Sequence, residues 1–71
     1  MSRDICKRFG VRIKKLRLSK KLSQIALSEK VGIEQAHLSN LERGKKEPGL
    51  RVIEMLAIGL DVPLEKLFKD L

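Results

Sequence analysis

The hydrophobic positions of this chain recur at the spacing of α-helices. Between Arg3 and Lys20 they fall at intervals of four, four and three residues, which places them on one helical face. The members of this stripe are Ile5, Phe9, Ile13 and Leu16. Ser2 is a suitable N-cap for this helix. Because no segment alternates apolar and polar residues as a strand does, the pattern predicts an all-helical chain.

A second and a third helix are predicted on either side of Gly32. The second runs from Gln24 to Lys30 with Ser23 as its N-cap, and the third from about Gln35 to Arg43. Gly32 follows the second helix at a point where only glycine adopts a left-handed backbone cheaply, and Gly44 ends the third in the same way. The inward positions of this pair are Leu27, Val31, Leu38 and Leu41.

Two further helices are predicted after the loop that contains Pro48. The fourth begins near Leu50, and its apolar face consists of Val52, Ile53, Leu56, Ala57 and Leu60. The fifth begins around Pro63, a residue suited to a first helical turn, and carries Leu64, Leu67, Phe68 and Leu71. The sequence contains no repeat, low-complexity tract or linker. It therefore predicts one compact five-helix domain over residues 1–71.

The charge of the chain is unevenly distributed. The 71 residues carry a formal net charge of +7, and residues 1–21 hold nine Lys or Arg against one Asp. Residues 43–51 form a second basic segment, with four cations against one acid. The region between these segments has a net charge of −2. Two basic segments around a non-basic centre are compatible with nucleic-acid binding, although basic helices are often simply solvated faces.

Several functional classes are disfavoured by composition. With two Phe and neither Trp nor Tyr, the chain lacks the aromatic platforms typical of single-strand or RNA recognition. A lone Cys6 gives no disulfide framework, and no apolar run is long enough to span a bilayer. The opening MSRDICKRFG has no apolar core of a secretory signal, so we expect a cytoplasmic protein. No constellation of catalytic or metal-ligating residues is recognisable, and we expect neither an enzyme, a cofactor nor a small-molecule ligand.

The third helix presents small polar side chains outward where a solvent-exposed helix more often carries Glu and Lys. These positions are Gln35, Ala36, His37, Ser39 and Asn40. Gln and Asn can pair with adenine edges, and Ala can contact a thymine methyl group. Two helices joined by a tight glycine turn form a helix-turn-helix, whose second helix enters the major groove of DNA. The pattern therefore predicts a base-reading face on the third helix.

The sequence also resembles the lambda-repressor-like, Cro-type helix-turn-helix regulators. The resembling stretch is FGVRIKKLRLSKKLSQIALSEKVGIEQAHLSNLERGKKEPGL and continues through MLAIGLDVPLEKLF, nearly the whole chain. Its specific elements are Leu22-Ser23-Gln24, Gly32, Ser39, Leu41-Glu42-Arg43-Gly44, Pro48 and Leu67-Phe68. In its size and its FGVRIKKLR opening the chain is also similar to the controller proteins of restriction-modification systems.

The resemblance implies a role for each matching residue. Gln35, Ala36 and Asn40 would meet base edges, and His37 with Ser39 would lie at the groove wall. Residues implied to contact the DNA backbone are Gln24, at the N-terminus of the second helix, and Arg43, Lys45 and Lys46 beyond the third. Arg17 would pair with Glu42 as a structural ion pair between the first and third helices.

Four residues depart from the family pattern. Glu34 stands where the family usually has Ser or Thr as N-cap. Its carboxylate suits the positive end of the helix, although it would lie near DNA phosphates, and it could instead accept a hydrogen bond from a cytosine amino group or orient a neighbouring Arg or Lys. Ser28 replaces a small Ala and needs a hydrogen-bond partner. Ile25 is apolar at a usually polar position. Asp61 replaces Gly after the fourth helix, where Asp tolerates a left-handed turn.

The apolar residues of the last two helices predict a two-fold dimer. One helix-turn-helix reads few base pairs, and such regulators pair across half-sites about 34 Å apart. The predicted interface consists of Leu60, Val62, Leu64, Phe68 and Leu71. The alternative is that Phe68 and Leu71 only close the core of one domain.

The resulting hypothesis is a homodimeric regulator that binds a palindromic site in double-stranded DNA. Beyond DNA and its own second copy, RNA polymerase is a candidate partner, and no membrane is expected. A different class of function is an antitoxin-like module that binds a protein and uses DNA secondarily. A third is non-specific nucleoid binding, which the non-basic reading face disfavours.

Overall fold

Five α-helices form the computed structural model, which describes residues 3–71. They are α1 Ile5–Ser19, α2 Gln24–Val31, α3 Gln35–Glu42, α4 Leu50–Leu60 and α5 Leu64–Leu67. Residues 3–71 contain no strand, and none of their helices has the length and hydropathy to cross a bilayer. The all-helical, five-helix fold predicted by the hydrophobic pattern is confirmed.

The first helix begins later than the pattern indicated. It starts at Ile5, because the Asp4 side chain accepts a hydrogen bond from the backbone N–H of Cys6 at 2.8 Å and thereby caps it. The expected cap, Ser2, lies outside the described residues. After α1, Lys21 has a left-handed φ of +58°, which nothing in the hydrophobic pattern indicated. Ser23 caps α2 as predicted, accepting from the N–H of Ala26 at 3.0 Å.

The last helix is much shorter than predicted. Pro63 occupies its N-cap position, and only Leu64–Leu67 is helical. The chain then leaves the helix at Phe68 (φ −107°), and Asp70 has a left-handed φ of +62°. Phe68 and Leu71 therefore lie in a terminal turn. Both still contact the body of the protein: Leu71 packs against the core, and the ring centroids of Phe68 and Phe9 are 5.4 Å apart.

The core is built from side chains of all five helices. Helix α1 packs against α3 and α5, α2 packs against α3 and α4, and α5 also contacts α4. The buried core residues are Phe9, Ile13, Leu16, Leu27, Val31, Leu38, Leu56, Ala57, Leu60 and Leu67. This arrangement supports α3 from behind and leaves its opposite face free.

The contact between α1 and α3 depends on Gly10. A Cβ atom at this position would lie 2.4 Å from the backbone oxygens of both Leu41 and Glu42. The two helices are therefore in backbone contact at the C-terminal end of α3. One turn earlier on α1, the backbone of Lys7 approaches Gly44 as closely, with 2.6 Å between its Cα and a Cβ built on the glycine. These contacts position α3 and the loop that follows it.

Candidate nucleic-acid interface

The turn between α2 and α3 sets the orientation of α3 relative to α2. Gly32 has a left-handed backbone (φ 80°, ψ 29°), and its N–H donates to the Ser28 carbonyl at 2.8 Å. The N–H of Ile33 donates to the same carbonyl at 3.1 Å. Glycine in this conformation closes the helix end and reverses the chain within a few residues. The geometry is that of a helix-turn-helix, as the sequence predicted.

Three of the four residues that depart from the family pattern have clear environments. Ser28 is buried, and its hydroxyl donates to the Ile25 carbonyl at 2.8 Å, so its polar group is satisfied. Asp61 ends α4 in a left-handed conformation with φ 57°. Glu34 is exposed at the N-cap of α3, and its carboxylate caps no backbone N–H. It therefore remains available beside the N-terminus of α3.

A shallow hollow of about 350 Å³ lies between the start of α2 and the outer face of α3. The residues that line it are Gln24, Gln35, Ala36, Ser39, Asn40 and Arg43. All six belong to the predicted DNA-binding set of nine residues, so the fold gathers these six on one surface. His37 is partly buried and does not line this hollow.

Beneath the hollow, a buried ion pair ties α1 to α3. The Nε of Arg17 lies 2.7 Å from Oε2 of Glu42, and the two side chains are 8% and 2% exposed. A second guanidinium nitrogen of Arg17 donates to Oε1 at 3.1 Å, so the contact is bidentate. A third nitrogen donates to the Leu22 carbonyl at 2.8 Å. The structure thus contains the ion pair that the family resemblance implied, in a buried environment.

Gln24 is attached to this ion pair. Its Nε2 donates to Oε1 of Glu42 at 3.0 Å, which links the side chain to the last residue of α3. The sequence did not indicate this contact, because the two residues are 18 positions apart. An amide nitrogen carries two N–H groups, so one donor of Gln24 remains for another acceptor.

The side of the hollow at the C-terminal end of α3 is basic. Arg43 follows the last residue of α3, and one of its terminal nitrogens donates to Oδ1 of Asn40 at 3.0 Å. Lys45 and Lys46 are exposed in the loop that precedes α4. The Lys45 N–H donates to the Asn40 carbonyl at 2.9 Å, which holds the start of this loop against the end of α3. Positive charge therefore borders the polar face.

The predicted dimer interface needs a correction. Leu60 is only 1% exposed and belongs to the core, because its side chain points into the interior from α4. Val62 and Leu71 are partly buried against the same core, whereas Leu64 and Phe68 are 47% and 46% exposed. A second hollow, of about 330 Å³, lies beside them. Its lining is Leu50, Arg51, Ile53, Glu54, Leu64 and Phe68.

Neither Cys6 nor His37 belongs to a recognisable reactive centre. Desolvation raises the pKa of the Cys6 thiol above its usual value, and the carboxylates of Asp4 and Glu47 raise it further. A thiol with a raised pKa is largely protonated at neutral pH and is a poor nucleophile. Within residues 3–71 no three His, Cys, Asp or Glu side chains are grouped so that they could share a metal ion.

Comparison with known proteins places this geometry in a family. A helix-turn-helix family model matches residues 13–67. The chain belongs to the helix-turn-helix family. It is 36% identical over 69 residues to control protein C.MunI of a Mycoplasma species, covering 96% of this chain and 93% of that protein.

Solved structures agree with this assignment. The restriction-modification controller protein C.AhdI from Aeromonas hydrophila has a TM-score of 0.89 and 34% identity, over 90% of this chain and 97% of that one. SinR, a master regulator for biofilm formation solved in complex with DNA, has a TM-score of 0.80 and 34% identity, over 86% and 98%. The expected Cro-type relationship is confirmed, and this family member is a DNA-binding transcription regulator and not an enzyme.

Proposed function

We propose that this family member is a cytoplasmic, homodimeric regulator that binds a specific palindromic sequence in duplex DNA. Residues 1–71 act as one DNA-binding domain, with α3 in the major groove. The observation that carries the proposal is the hollow where six side chains from α2 and α3 converge. Five of the six are uncharged, and four of those five carry polar groups that can donate and accept hydrogen bonds, as base edges require.

Base reading falls to the N-terminal part of α3. Gln35 and Ala36 are exposed in its first turn, the part of a recognition helix that meets base edges. Asn40 lies one turn further along the same face. Ser39, inside the hollow, and His37, which is partly buried and does not line it, would contact the groove wall.

Phosphate binding falls to the borders of that face. The free N–H of Gln24 lies at the N-terminus of α2, where the helix dipole favours an anion. The hydrogen bond to Glu42 orients this amide before DNA arrives. On the other border, exposed Lys45 and Lys46 supply positive charge. Together these groups would hold α3 in register between two DNA strands.

Dimerisation falls to the second hollow, on α4 and α5. Leu50 is 85% exposed, and with the half-exposed Leu64 and Phe68 it forms an apolar patch beside Ile53. In a two-fold dimer the same patch occurs on both subunits and must complement itself. Arg51 and Glu54 line the same hollow, and their opposite charges allow each to face the other's copy across the axis.

The similarity to C.MunI and C.AhdI supports a role as a controller of this type. The position of the DNA site relative to a promoter would then decide between activation and repression. RNA polymerase is the further partner expected at an activating site.

Selection of bound duplexes from a random DNA library, at about physiological salt, tests this function. We expect enrichment of a palindrome whose half-sites are about one helical turn, ~34 Å, apart. Binding without any enriched sequence would contradict the proposal and favour non-specific binding. Failure to bind DNA, together with co-purification of a stoichiometric protein, would favour the antitoxin-like alternative.

Two matched variants distinguish residues that contact bases from residues that contact the DNA backbone. Gln35→Ala should reduce the binding free energy by about 1–3 kcal/mol on the selected site and by little on random DNA, because it removes a base contact. Lys46→Ala should weaken binding to both duplexes and reduce the salt slope by about one, because it removes a phosphate contact. Equal losses for Gln35→Ala on both duplexes would contradict its assignment as a base reader.

A further inference from the structure

The hydrogen bond between Arg43 and Asn40 joins two residues to which the sequence assigned different tasks. One terminal nitrogen of Arg43 donates to Oδ1 of Asn40 at 3.0 Å, and both residues line the first hollow. Helical side chains lean toward the N-terminus of their helix. Arg43, directly after α3, therefore extends back over the reading face instead of out along the loop.

This contact determines which atoms the pair presents. It directs the amide oxygen of Asn40 toward the guanidinium, so the two N–H groups of Nδ2 face away from it. Arginine has five N–H donors and no acceptor, and four of them remain outside this bond. The outer surface of the pair is therefore composed mainly of hydrogen-bond donors.

We propose that Asn40 and Arg43 act as one unit that recognises guanine in the major groove. Guanine presents two adjacent acceptors there, N7 and O6, whereas adenine presents N7 beside an amino donor. Donors of the pair can satisfy both guanine atoms. Opposite adenine, the amino group would meet a cation and further donors. The inference rests on the proposed function and revises two expectations drawn from the sequence, adenine reading by Asn40 and a backbone role for Arg43.

The charge distribution supports this assignment. Among the six described residues that line the hollow, Arg43 is the one with a formal charge. Its planar fork offers guanine two donors in a fixed geometry, whereas the ammonium of a lysine is a compact charge on a flexible stem. Lys45 and Lys46 follow after Gly44 and would provide cations for phosphates. The arginine is thus the cation directed at the bases.

The test is the random-duplex selection repeated in parallel with four full-length proteins: unaltered, Arg43→Lys, Asn40→Ala and Lys46→Ala. Arg43→Lys keeps the charge and removes the fork. For the unaltered protein we expect guanine at one position of each half-site. Arg43→Lys should lower the preference for that guanine by about 5- to 150-fold, the range for one bidentate base contact. Asn40→Ala should lower it at the same position.

The control is Lys46→Ala, which should weaken binding and leave the guanine preference intact. Circular dichroism of each variant confirms that the helices are retained. A guanine preference that survives Arg43→Lys, or adenine at the position that Asn40→Ala affects, would overturn the inference alone. Absence of any enriched sequence for the unaltered protein would overturn the proposed function and the inference with it.

Discussion

Replacing Glu42 by leucine should destabilise the fold far more than the loss of one surface ion pair. The carboxylate accepts hydrogen bonds from two nitrogens of Arg17, at 2.7 and 3.1 Å, and from Gln24 at 3.0 Å. Without it, a guanidinium that is 8% exposed retains only its bond to the Leu22 carbonyl among the contacts described here. Removing one partner of a buried pair typically costs about 3–5 kcal/mol.

The size of this loss matters because the domain is small. At about 0.05–0.15 kcal/mol per residue, a chain of this length has a free energy of unfolding of roughly 4–11 kcal/mol. The Glu42→Leu variant should therefore be marginally folded. The double variant Arg17→Met/Glu42→Leu removes both buried charges, so it should be more stable than Glu42→Leu alone.

Urea unfolding followed by circular dichroism, at one fixed protein concentration, measures these differences. The concentration must be held constant because dimerisation would stabilise the folded state. A loss below about 1 kcal/mol for Glu42→Leu would show that the pair behaves as an exposed one. The single variant Arg17→Met completes the comparison. If the double variant loses as much free energy of unfolding as Arg17→Met and Glu42→Leu lose together, the residues are not coupled. Either result would refute the reasoning.

Three further substitutions test other contacts. Gly10→Ala should destabilise the protein by about 1–3 kcal/mol, because the new methyl group would overlap backbone oxygens of α3. Alanine normally stabilises a helix relative to glycine, so an increase in the free energy of unfolding in urea would contradict this prediction. Lys21→Gly should raise the free energy of unfolding by about 1 kcal/mol by relieving a left-handed backbone, and an unchanged midpoint would contradict this. Leu64→Glu should convert a dimer into monomers in analytical ultracentrifugation, whereas Ile58→Glu, exposed at 71% but outside the second hollow, should not. Dimers that persist in Leu64→Glu would exclude the second hollow as the interface.

Much of the architecture could be predicted from the sequence, because helix periodicity and glycine turns are local properties. The inward residues of α2 and α3 are buried as predicted, and Gly32 has the expected left-handed backbone. Helix boundaries were less accurate. Asp4 replaced the expected cap of α1, and α5 ended after Leu67. The end of a helix can shift by one or two residues, because several neighbouring residues can cap the same backbone groups.

The five helices, the turn between α2 and α3 and the polar face of α3 follow from local patterns in the sequence. Periodicity shows which side of a helix is apolar, but it does not show which surface covers that side. That Leu60 is core while Leu50 is exposed depends on how the helices pack. Likewise, only the packed helices showed how Arg43 meets Asn40, because that contact depends on side-chain direction as well as on spacing along the chain.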